Sequence, residues 1–417
     1  MMACSFVNPA SFEPREFLKS LALARRLDDA RYFVSLIHTK LARRDVDHLG
    51  VVRLHAKHLK NIMRGSTYAA VVESLLDGGA IERFPYSVGE RSFGFRLASR
   101  FVNDKHVRIQ ATDNRLIRRL QRFHDQAAAE RDARMKPVHR ALARQQYRLR
   151  IDGEAARQTL ASLPATCNPF DTQGVLIEDI ERHEFHLNVG QYGRVSNNIT
   201  SLKRELRQNL NVNGQPLGCV DLACAQPALL AKLIANSNNR GEGEERQGTG
   251  GRGKRTGSSK HSSSIYDSRF GHDGDVNLFT ALVQSGVFYE FMVERLQGDG
   301  IGRDEVKHRI LVDVIAKRGR YPSAVENEFR RLFPTVHAFI RRTNREDHAN
   351  LIRELQRAES SFVIDAVAAE LTERHPRLFV VSLHDALYTT AGNVPRVERA
   401  FQRAFQMTGF PMRLNAD

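Results

Sequence analysis

The chain has 417 residues, of which 41% are hydrophobic and 27% charged, a globular balance that excludes collagen-like, fibrous and wholly disordered proteins. Lys and Arg number 63 against 48 Asp and Glu, so the formal net charge is +15 and a polyanion is the expected partner. No window offers the roughly 18 consecutive apolar residues of a membrane span, and we expect a soluble, cytoplasmic protein without a membrane partner. The four cysteines form no C-x-x-C pair, which argues against a disulfide framework and a structural zinc site.

Residues 1–102 combine helical periodicity with a hairpin pattern. The apolar positions predict helices over about 26–42, 54–63 and 67–76, and a turn near 88–91 joins two short strands. Three helices followed by a hairpin is the order of a winged-helix module, in which the third helix enters the major groove of DNA. The side chains that would then contact DNA are Lys57, Lys60, Arg64, Tyr68, Arg83 and Arg91. The alternative is a small helical domain whose surface is basic because the whole chain is basic.

Residues 103–186 form the next predicted region. Residues 103–158 are rich in Arg, Lys, Glu and Gln with apolar residues at helical spacing, which predicts one or two long helices with a solvated charged face. Farther along, residues 236–264 contain no Leu, Ile, Val or Phe, a composition that cannot form a core and predicts a disordered insertion. Such a segment is either a tolerated surface insertion, which we favour, or a basic loop that follows phosphates.

Two aspartates end short strand-like runs in the second half of the chain. Asp221 closes the run 218–221 before an apolar helical stretch, and Asp385 lies in 378–388, where two strands meet at a tight His384-Asp385 turn. Buried carboxylates are costly unless they are paired or bind a metal, so two of them at strand ends in a basic protein predict a divalent-cation site. Taken singly, each aspartate is better explained as a turn or capping residue, so the prediction depends on the other residues of the set.

Five segments, taken in order, resemble the palm and fingers of family A DNA polymerases and of the single-subunit RNA polymerases of phages and mitochondria. They are Gly193-Arg194-Val195-Ser196 with Leu202 and Arg207 following, residues 220–226 around Asp221, the R-x-x-x-K pattern of Arg303 and Lys307, residues 329–339, and Leu383-His384-Asp385. Together they span about 192–390, roughly half of the chain. Each motif is weak alone, and their common order carries the resemblance.

The resemblance implies an α+β fold in which residues 187–417 form a palm with an antiparallel sheet, and small helical fingers occupy about 275–321. Residues 103–186 would form a helical, thumb-like region. Asp221 and Asp385 would hold two Mg²⁺ or Mn²⁺ ions, and Arg303, Lys307 and Gln226 would bind the nucleoside triphosphate. Arg194, Arg207 and His384 would lie near the primer–template duplex.

The implied function is template-dependent nucleotidyl transfer to a 3′ end in DNA replication, in a phage or mobile element and its bacterial host. The chain departs from the family at three positions: Ile315 replaces an aromatic residue that stacks on the nucleotide, Gln226 replaces a sugar-selecting Glu, and Ala386 replaces an acidic residue. An RNA polymerase or primase of the same fold therefore stays open. A second class also stays open, a non-catalytic DNA-binding replication or regulatory protein that keeps the palm as a scaffold.

Overall fold

The computed structural model describes residues 4–20, 23–47, 49–86, 92–245, 274–296 and 300–417. Helices hold 59% of the residues and strands 14%, so the prediction of an α+β fold class is confirmed. The chain divides into two compact units, Met1–Asn188 with Ser196–Leu217, and Val189–Val195 with Gly218–Asp417. Residues 1–102 and 103–186 fall in the same unit. Among the described helices, none taken singly has the length and apolarity to cross a membrane, and the one pair that passes jointly is bent by 118°.

The first unit begins with a strand, three main helices and a small sheet. Its elements are β1 (Ser5–Pro9), α1 (Pro14–Phe17), α2 (Leu27–Ala42), β2 (Val52–Arg53), α3 (Ala56–Met63), α4 (Gly65–Asp77), β3 (Ile81–Phe84) and β4 (Gly94–Leu97). The three predicted helices are present, and β3 and β4 are antiparallel with Ile81 opposite Leu97. Strand β2 pairs with β4 and completes a sheet of order β2-β4-β3. The predicted turn at 88–91 lies outside the described residues.

The remaining elements up to the second unit are mixed. They are β5 (His106–Gln110), α5 (Asn114–Arg134), α6 (Pro137–Gln146), β6 (Arg150–Ile151), α7 (Gly153–Ser162), α8 (Thr172–Glu181), β7 (Leu187–Val189), β8 (Val195–Asn197), α9 (Asn198–Ser201), α10 (Arg204–Arg207) and β9 (Leu210–Val212). The prediction of one or two long helices over 103–158 agrees with the presence of α5 and α6 but is wrong for strand β5. Strand β5 pairs with β1, and Pro137 separates α5 from α6 because it forces Lys136 into an extended conformation.

One hydrophobic core joins the two halves of the first unit. Phe33 of α2 and Phe95 of β4 are fully buried, with ring centroids 5.1 Å apart. Leu116 and Leu120 of α5 belong to the same core. Apart from these two leucines, no residue of the 21-residue α5 is buried, so its Arg-rich face is open to solvent.

The second unit combines a sheet with many helices. Its elements are β10 (Gln215–Leu222, which begins in the first unit), α11 (Ala225–Glu245), α12 (Gly274–Gln284), α13 (Phe288–Arg295), α14 (Arg303–Arg309), α15 (Ala324–Leu332), α16 (Pro334–Thr343), α17 (Asn350–Ser360), α18 (Ala369–Arg374), β11 (Val381–Leu383), β12 (Ala386–Thr390), α19 (Val394–Thr408) and β13 (Leu414–Ala416). Two π-helical segments follow α14 and α17, at Ile310–Ile315 and Ser361–Ala368. Helix α11 extends through residues 236–245, for which the composition predicts disorder; residues 246–264 lie outside the described residues.

The sheet of the second unit has antiparallel pairs on both sides of the strand that carries Asp221. β11 and β12 form a hairpin in which Leu383 faces Ala386, and β12 neighbours β10. β13 pairs with β10, with Asp221 opposite Asn415. Helix α19 packs on β12 and on the second π-helical segment, where Phe362 and Phe405 stack with centroids 5.5 Å apart. This packing holds the hairpin against β10.

Candidate active site

Asp221 and Asp385 come together at one end of this sheet. Asp221 is the second-last residue of β10, and the Nδ2 of Asn415 donates a hydrogen bond to its Oδ2 at 3.3 Å. Asp385 is the second residue of the two-residue turn between β11 and β12. The backbone N–H of Leu222 donates to the backbone carbonyl of Asp385 at 3.3 Å. Of the two aspartates predicted from strand-end patterns, Asp221 thus lies on β10 and Asp385 in the turn that precedes the neighbouring strand β12.

The turn that carries Asp385 contains a residue with left-handed backbone geometry. His384 has a φ of 54°, a conformation that is unfavourable for residues with a Cβ. Two-residue hairpin loops need positive φ in the loop to match the twist of their strands, which explains this geometry. The side chain of His384 is exposed. This placement agrees with a role for His384 in shaping the turn.

Negative charge is concentrated around Asp385. Burial raises the pKa of the Asp385 carboxyl to about 6, the charges of Glu359 and Asp221 raise it as well, and the charge of Lys307 acts in the opposite direction. Three carboxylates and a lysine therefore interact electrostatically within the second unit. An additional cation would relieve the repulsion among the carboxylates.

Glu359 connects two residues from separate predicted motifs. It is only 2% exposed, near the end of α17, and it accepts hydrogen bonds from Arg194 Nε to Oε1 at 3.0 Å and from Arg194 Nη2 to Oε2 at 2.9 Å. The Nε2 of Gln226, in the first turn of α11, donates to Glu359 Oε2 at 3.3 Å. In the sequence, Glu359 lies in the stretch 355–371, which precedes the Asp385 segment and resembles the corresponding helix of the polymerase family only loosely, so the sequence assigns this residue no role. A glutamate among the apolar positions of that stretch was the available signal.

Gly193 brings Arg194 within reach of Glu359. Its φ is 79°, and a Cβ built on it would lie 3.1 Å from the Cβ of Ser360. Backbone hydrogen bonds from Gly193 to Gly190 and from Gly190 to Arg194, each at 2.9 Å, close the turn. Glycine is required here by both the positive φ and the close approach to α17.

Arg303 and Lys307 lie one helical turn apart on α14, but Arg303 has a protein partner. Its Nε donates to Glu290 Oε1 at 2.6 Å, and its guanidinium lies 5.5 Å from the ring centroid of Tyr289. Tyr289 is buried, which raises the pKa of its hydroxyl, and it interacts with the charges of both Arg303 and Asp385. Tyr289 lies on α13, outside the five segments that carry the resemblance.

Ile315, which stands where the polymerase family has an aromatic residue that stacks on the nucleotide, is packed in the interior of the second unit. Ile315 is 2% exposed at the end of the first π-helical segment. Tyr321, an aromatic residue six positions later whose spacing argues against its substituting for the missing ring, is 90% exposed. Arg207 belongs to the first unit, where its Nε and Nη2 donate to the carbonyl of Leu202 at 3.0 and 2.9 Å. Its guanidinium therefore caps local backbone.

The predicted DNA-contacting residues of the first unit separate into two groups. Lys57 and Lys60 of α3, and Arg64 between α3 and α4, are exposed. Tyr68 is 7% exposed and packs edge-on against Phe33 with centroids 6.2 Å apart, so the prediction that it contacts DNA is wrong. The cause is its position on the core-facing side of α4. Arg91 lies outside the described residues.

The first unit also contains a cavity of about 460 Å³ whose lining includes His106 and Asp171. The imidazole nitrogens of His106 lie 2.8 Å from Asp171 and 2.7 Å from Glu178. Burial alone would lower the pKa of His106, but the hydrogen bonds to these carboxylates outweigh it and the pKa is raised. Nearby Arg108 pairs with Glu178, Asp179 and Glu184 and is 8% exposed. These ion pairs and hydrogen bonds form a structural network within the first unit.

The second unit thus brings together Asp221, Asp385, Glu359, Gln226 and Arg194, with Lys307 in electrostatic range. Over the described ranges, no group of three or more His, Cys, Asp or Glu side chains is arranged to hold a metal ion.

Comparison with known proteins finds no matching family model, no matching curated protein and no matching solved structure.

Proposed function

We propose that the chain is a template-dependent nucleotidyltransferase, with a palm and fingers of the family A type, that extends a nucleic-acid 3′ end. One observation carries the proposal: the hairpin tip bearing Asp385 lies beside the strand bearing Asp221, and the two carboxylates interact electrostatically. Carboxylates at such strand ends, in a chain of net charge +15, suit a reaction on polyanionic substrates.

The donor set suits Mg²⁺. This ion usually takes one or two protein carboxylates and completes its shell with water and substrate phosphate oxygens, so Asp221 and Asp385 are sufficient protein ligands. Glu359 is excluded as a ligand because Arg194 and Gln226 occupy its oxygens. When bound, the ions would neutralise phosphate charge and lower the pKa of the attacking hydroxyl.

Lys307 and Arg303 supply the positive charge for the triphosphate. Lysine is a mobile point charge and arginine a planar fork, and both bind phosphate well. Arg303 is held by Glu290, so we propose that it exchanges this partner for phosphate when the nucleotide binds. Arg194, held by Glu359, has its remaining N–H groups available to the primer end.

We further propose that the first unit binds duplex DNA as a winged-helix module. In support, the order α2-β2-α3-α4-β3-β4 is that of such modules. Lys57 and Lys60 are exposed on its second helix, and Arg64 is exposed immediately before its third. The solvent-exposed Arg115, Arg118 and Arg122 of α5 add phosphate-binding charge and support a thumb-like role.

A second candidate function is a non-catalytic DNA-binding protein that uses the second unit as a scaffold. The buried Ile315 and the pairing of Arg303 with Glu290 favour it, because neither residue is presented to a nucleotide in this structure. Both metal-ligand aspartates favour the enzyme.

Primer extension tests the enzyme proposal. The full chain is assayed on DNA and RNA templates, with dNTPs and NTPs separately, in Mg²⁺ and in Mn²⁺. We expect extension that is lost in Asp221→Asn and in Asp385→Asn, since an amide keeps the side-chain shape but removes the charge that binds the cation. Glu373→Gln, an exposed carboxylate of the same unit, is the matched control and should retain full activity.

The outcomes separate the two candidates. Extension that survives both Asp→Asn changes would show a contaminating or different activity and would refute the site. No extension under any condition, with duplex binding intact, would favour the scaffold protein. The sugar and template preferences follow from the same set of reactions.

Duplex binding is tested separately on the first unit's surface. Lys57→Gln with Lys60→Gln should weaken binding and reduce the slope of log K against log salt by about 2, because each lysine that meets a phosphate releases about one counterion. Lys19→Gln, an exposed lysine of the same unit outside α3, is the control. An unchanged slope in the double variant would remove α3 from the DNA surface.

A further inference from the structure

We propose that Glu359 is a positioning residue of the transfer site: its buried carboxylate fixes the orientation of both Arg194 and Gln226 relative to Asp385. This inference rests on the proposed function. It begins from a contact that no predicted motif contains, the meeting of three separate chain segments on one carboxylate.

The contacts of Arg194 leave it one orientation. Nε and Nη2 pair with Oε1 and Oε2 of Glu359, the side-on bidentate arrangement that is both strong and directional. A guanidinium has five N–H groups, so three stay available after these two are used. Because the paired edge is fixed, the free edge is fixed as well.

The contact with Glu359 also fixes which end of the Gln226 amide faces the carboxylate. An ionised carboxylate only accepts hydrogen bonds, so the amide nitrogen of Gln226 must face Glu359 and its Oε1 must face away. Among the described residues, this Oε1 is buried and has no hydrogen-bond partner. The direction in which Gln226 Oε1 points is therefore set by the hydrogen bond from Nε2 to Glu359 and not by a hydrogen bond to Oε1 itself.

The charge balance explains why the carboxylate is tolerated at this depth. Glu359 is 2% exposed and lies in electrostatic range of Asp385, so without Arg194 it would add an uncompensated charge to an acidic site. Arg194, whose side chain is 30% exposed, supplies the positive charge that compensates Glu359 from a position nearer the surface. Glu359 and Arg194 thus act as one unit, and their substitutions should not be additive.

A double-mutant cycle in the full chain tests this coupling. Glu359→Gln keeps the shape and removes the charge; Arg194→Lys keeps the charge and removes the bidentate fork. We expect each to lower the kcat of primer extension by about 10- to 100-fold with duplex affinity unchanged within about twofold. The double variant should be no more than about twofold slower than the slower single variant. Glu370→Gln, which breaks the 2.7 Å pair with Arg403 elsewhere in the unit, is the control for loss of an ion pair.

An NMR measurement reads the geometry independently of activity. The Nε–H signal of Arg194, assigned by its loss in Arg194→Lys, should exchange slowly with water in the native chain, rapidly in Glu359→Gln and slowly in Glu370→Gln. Multiplicative kcat losses, or slow exchange that persists in Glu359→Gln, would overturn the positioning role. An inactive native chain would overturn the proposed function, and with it the role of Glu359 in transfer. An active native chain whose Glu359→Gln variant extends primers at the native rate would overturn this inference alone.

Discussion

Replacing Asp385 by asparagine should abolish activity and at the same time stabilise the second unit. Desolvation of the carboxyl raises its pKa from the ordinary 3.8 to about 6, and the charges of Glu359 and Asp221 add to this rise. The ionised form is therefore disfavoured by the fold, and a neutral amide of the same shape does not pay this penalty.

The size of the effect follows from proton linkage. Each pKa unit is worth about 1.4 kcal/mol, so the rise corresponds to about 3 kcal/mol. Below pH 3.8 the carboxyl is protonated in the folded and unfolded states and adds nothing. As the pH rises from 4 to 6 the unfolded chain loses its proton first, so the free energy of unfolding of the native chain falls. The advantage of Asp385→Asn therefore grows over this interval and levels off above pH 6.

Hydrogen exchange followed by mass spectrometry measures this on the strands themselves. In EDTA, peptides covering β11 and β12 should show an opening free energy up to about 3 kcal/mol higher in Asp385→Asn than in the native chain at pH 7, and nearly equal values at pH 4. Added Mg²⁺ should narrow the gap by stabilising only the native chain. If Asp385→Asn opens more easily than the native chain at pH 7, the ionised carboxylate does not destabilise the fold and the reasoning is refuted.

Three further predictions address the same structure. Gly193→Ala should destabilise the second unit by about 1–2 kcal/mol, because of its positive φ and the approach of Ser360, and should also slow extension; a neutral effect in urea unfolding would contradict the role of the turn. Lys307→Ala should raise the KM for nucleotide about 10- to 100-fold, because a positive charge that binds phosphate is lost. Mn²⁺ binding, measured by electron paramagnetic resonance, should not weaken, because the carboxylates keep their attraction for the ion when a neighbouring positive charge is removed. Equal losses of nucleotide and Mn²⁺ binding would place Lys307 in a structural role. Arg108→Met should lower the stability of the first unit by about 3 kcal/mol in urea unfolding, because Glu178, Asp179 and Glu184 each lose one of their cationic partners at a buried position. A loss below about 1 kcal/mol would show that the partners that remain, His106, Arg43 and Arg182, compensate these carboxylates.

Local patterns were sufficient to predict much of the fold. The helices near 27–42, 56–63 and 65–77 follow from apolar periodicity, and the His384-Asp385 hairpin follows from two short apolar runs with a two-residue gap. Strand β5 could not be found in this way, since its alternation is hidden within an Arg-rich stretch and its partner β1 is far away in sequence. Proline at 137 was a visible break that the helical spacing on both sides obscured.

The site was predictable only where a motif marks it. Asp221, Asp385, Arg194 and Gln226 lie in recognisable segments, and the structure brings them into one unit. Glu359 was hidden because its significance depends on what it contacts, and such contacts leave no periodicity. Tyr68 shows the converse limit: the same spacing that predicts α4 does not state which face of the helix is buried, and the tyrosine lies on the buried one.

The separation in sequence of the residues that meet at this site has a consequence for folding kinetics. Arg194 is 165 residues from Glu359, Gln226 is 133 from it, and Asp221 is 194 from Asn415. Contacts of such range are slow to form, because a long loop must close before any of them is gained. During synthesis, β10 emerges directly after its partner β9 but long before β12 and β13. The backbone that pairs with these last two strands therefore stays unpaired until they appear and needs protection from aggregation. After dilution from urea, helical structure should therefore return first and the assembled carboxylate site last.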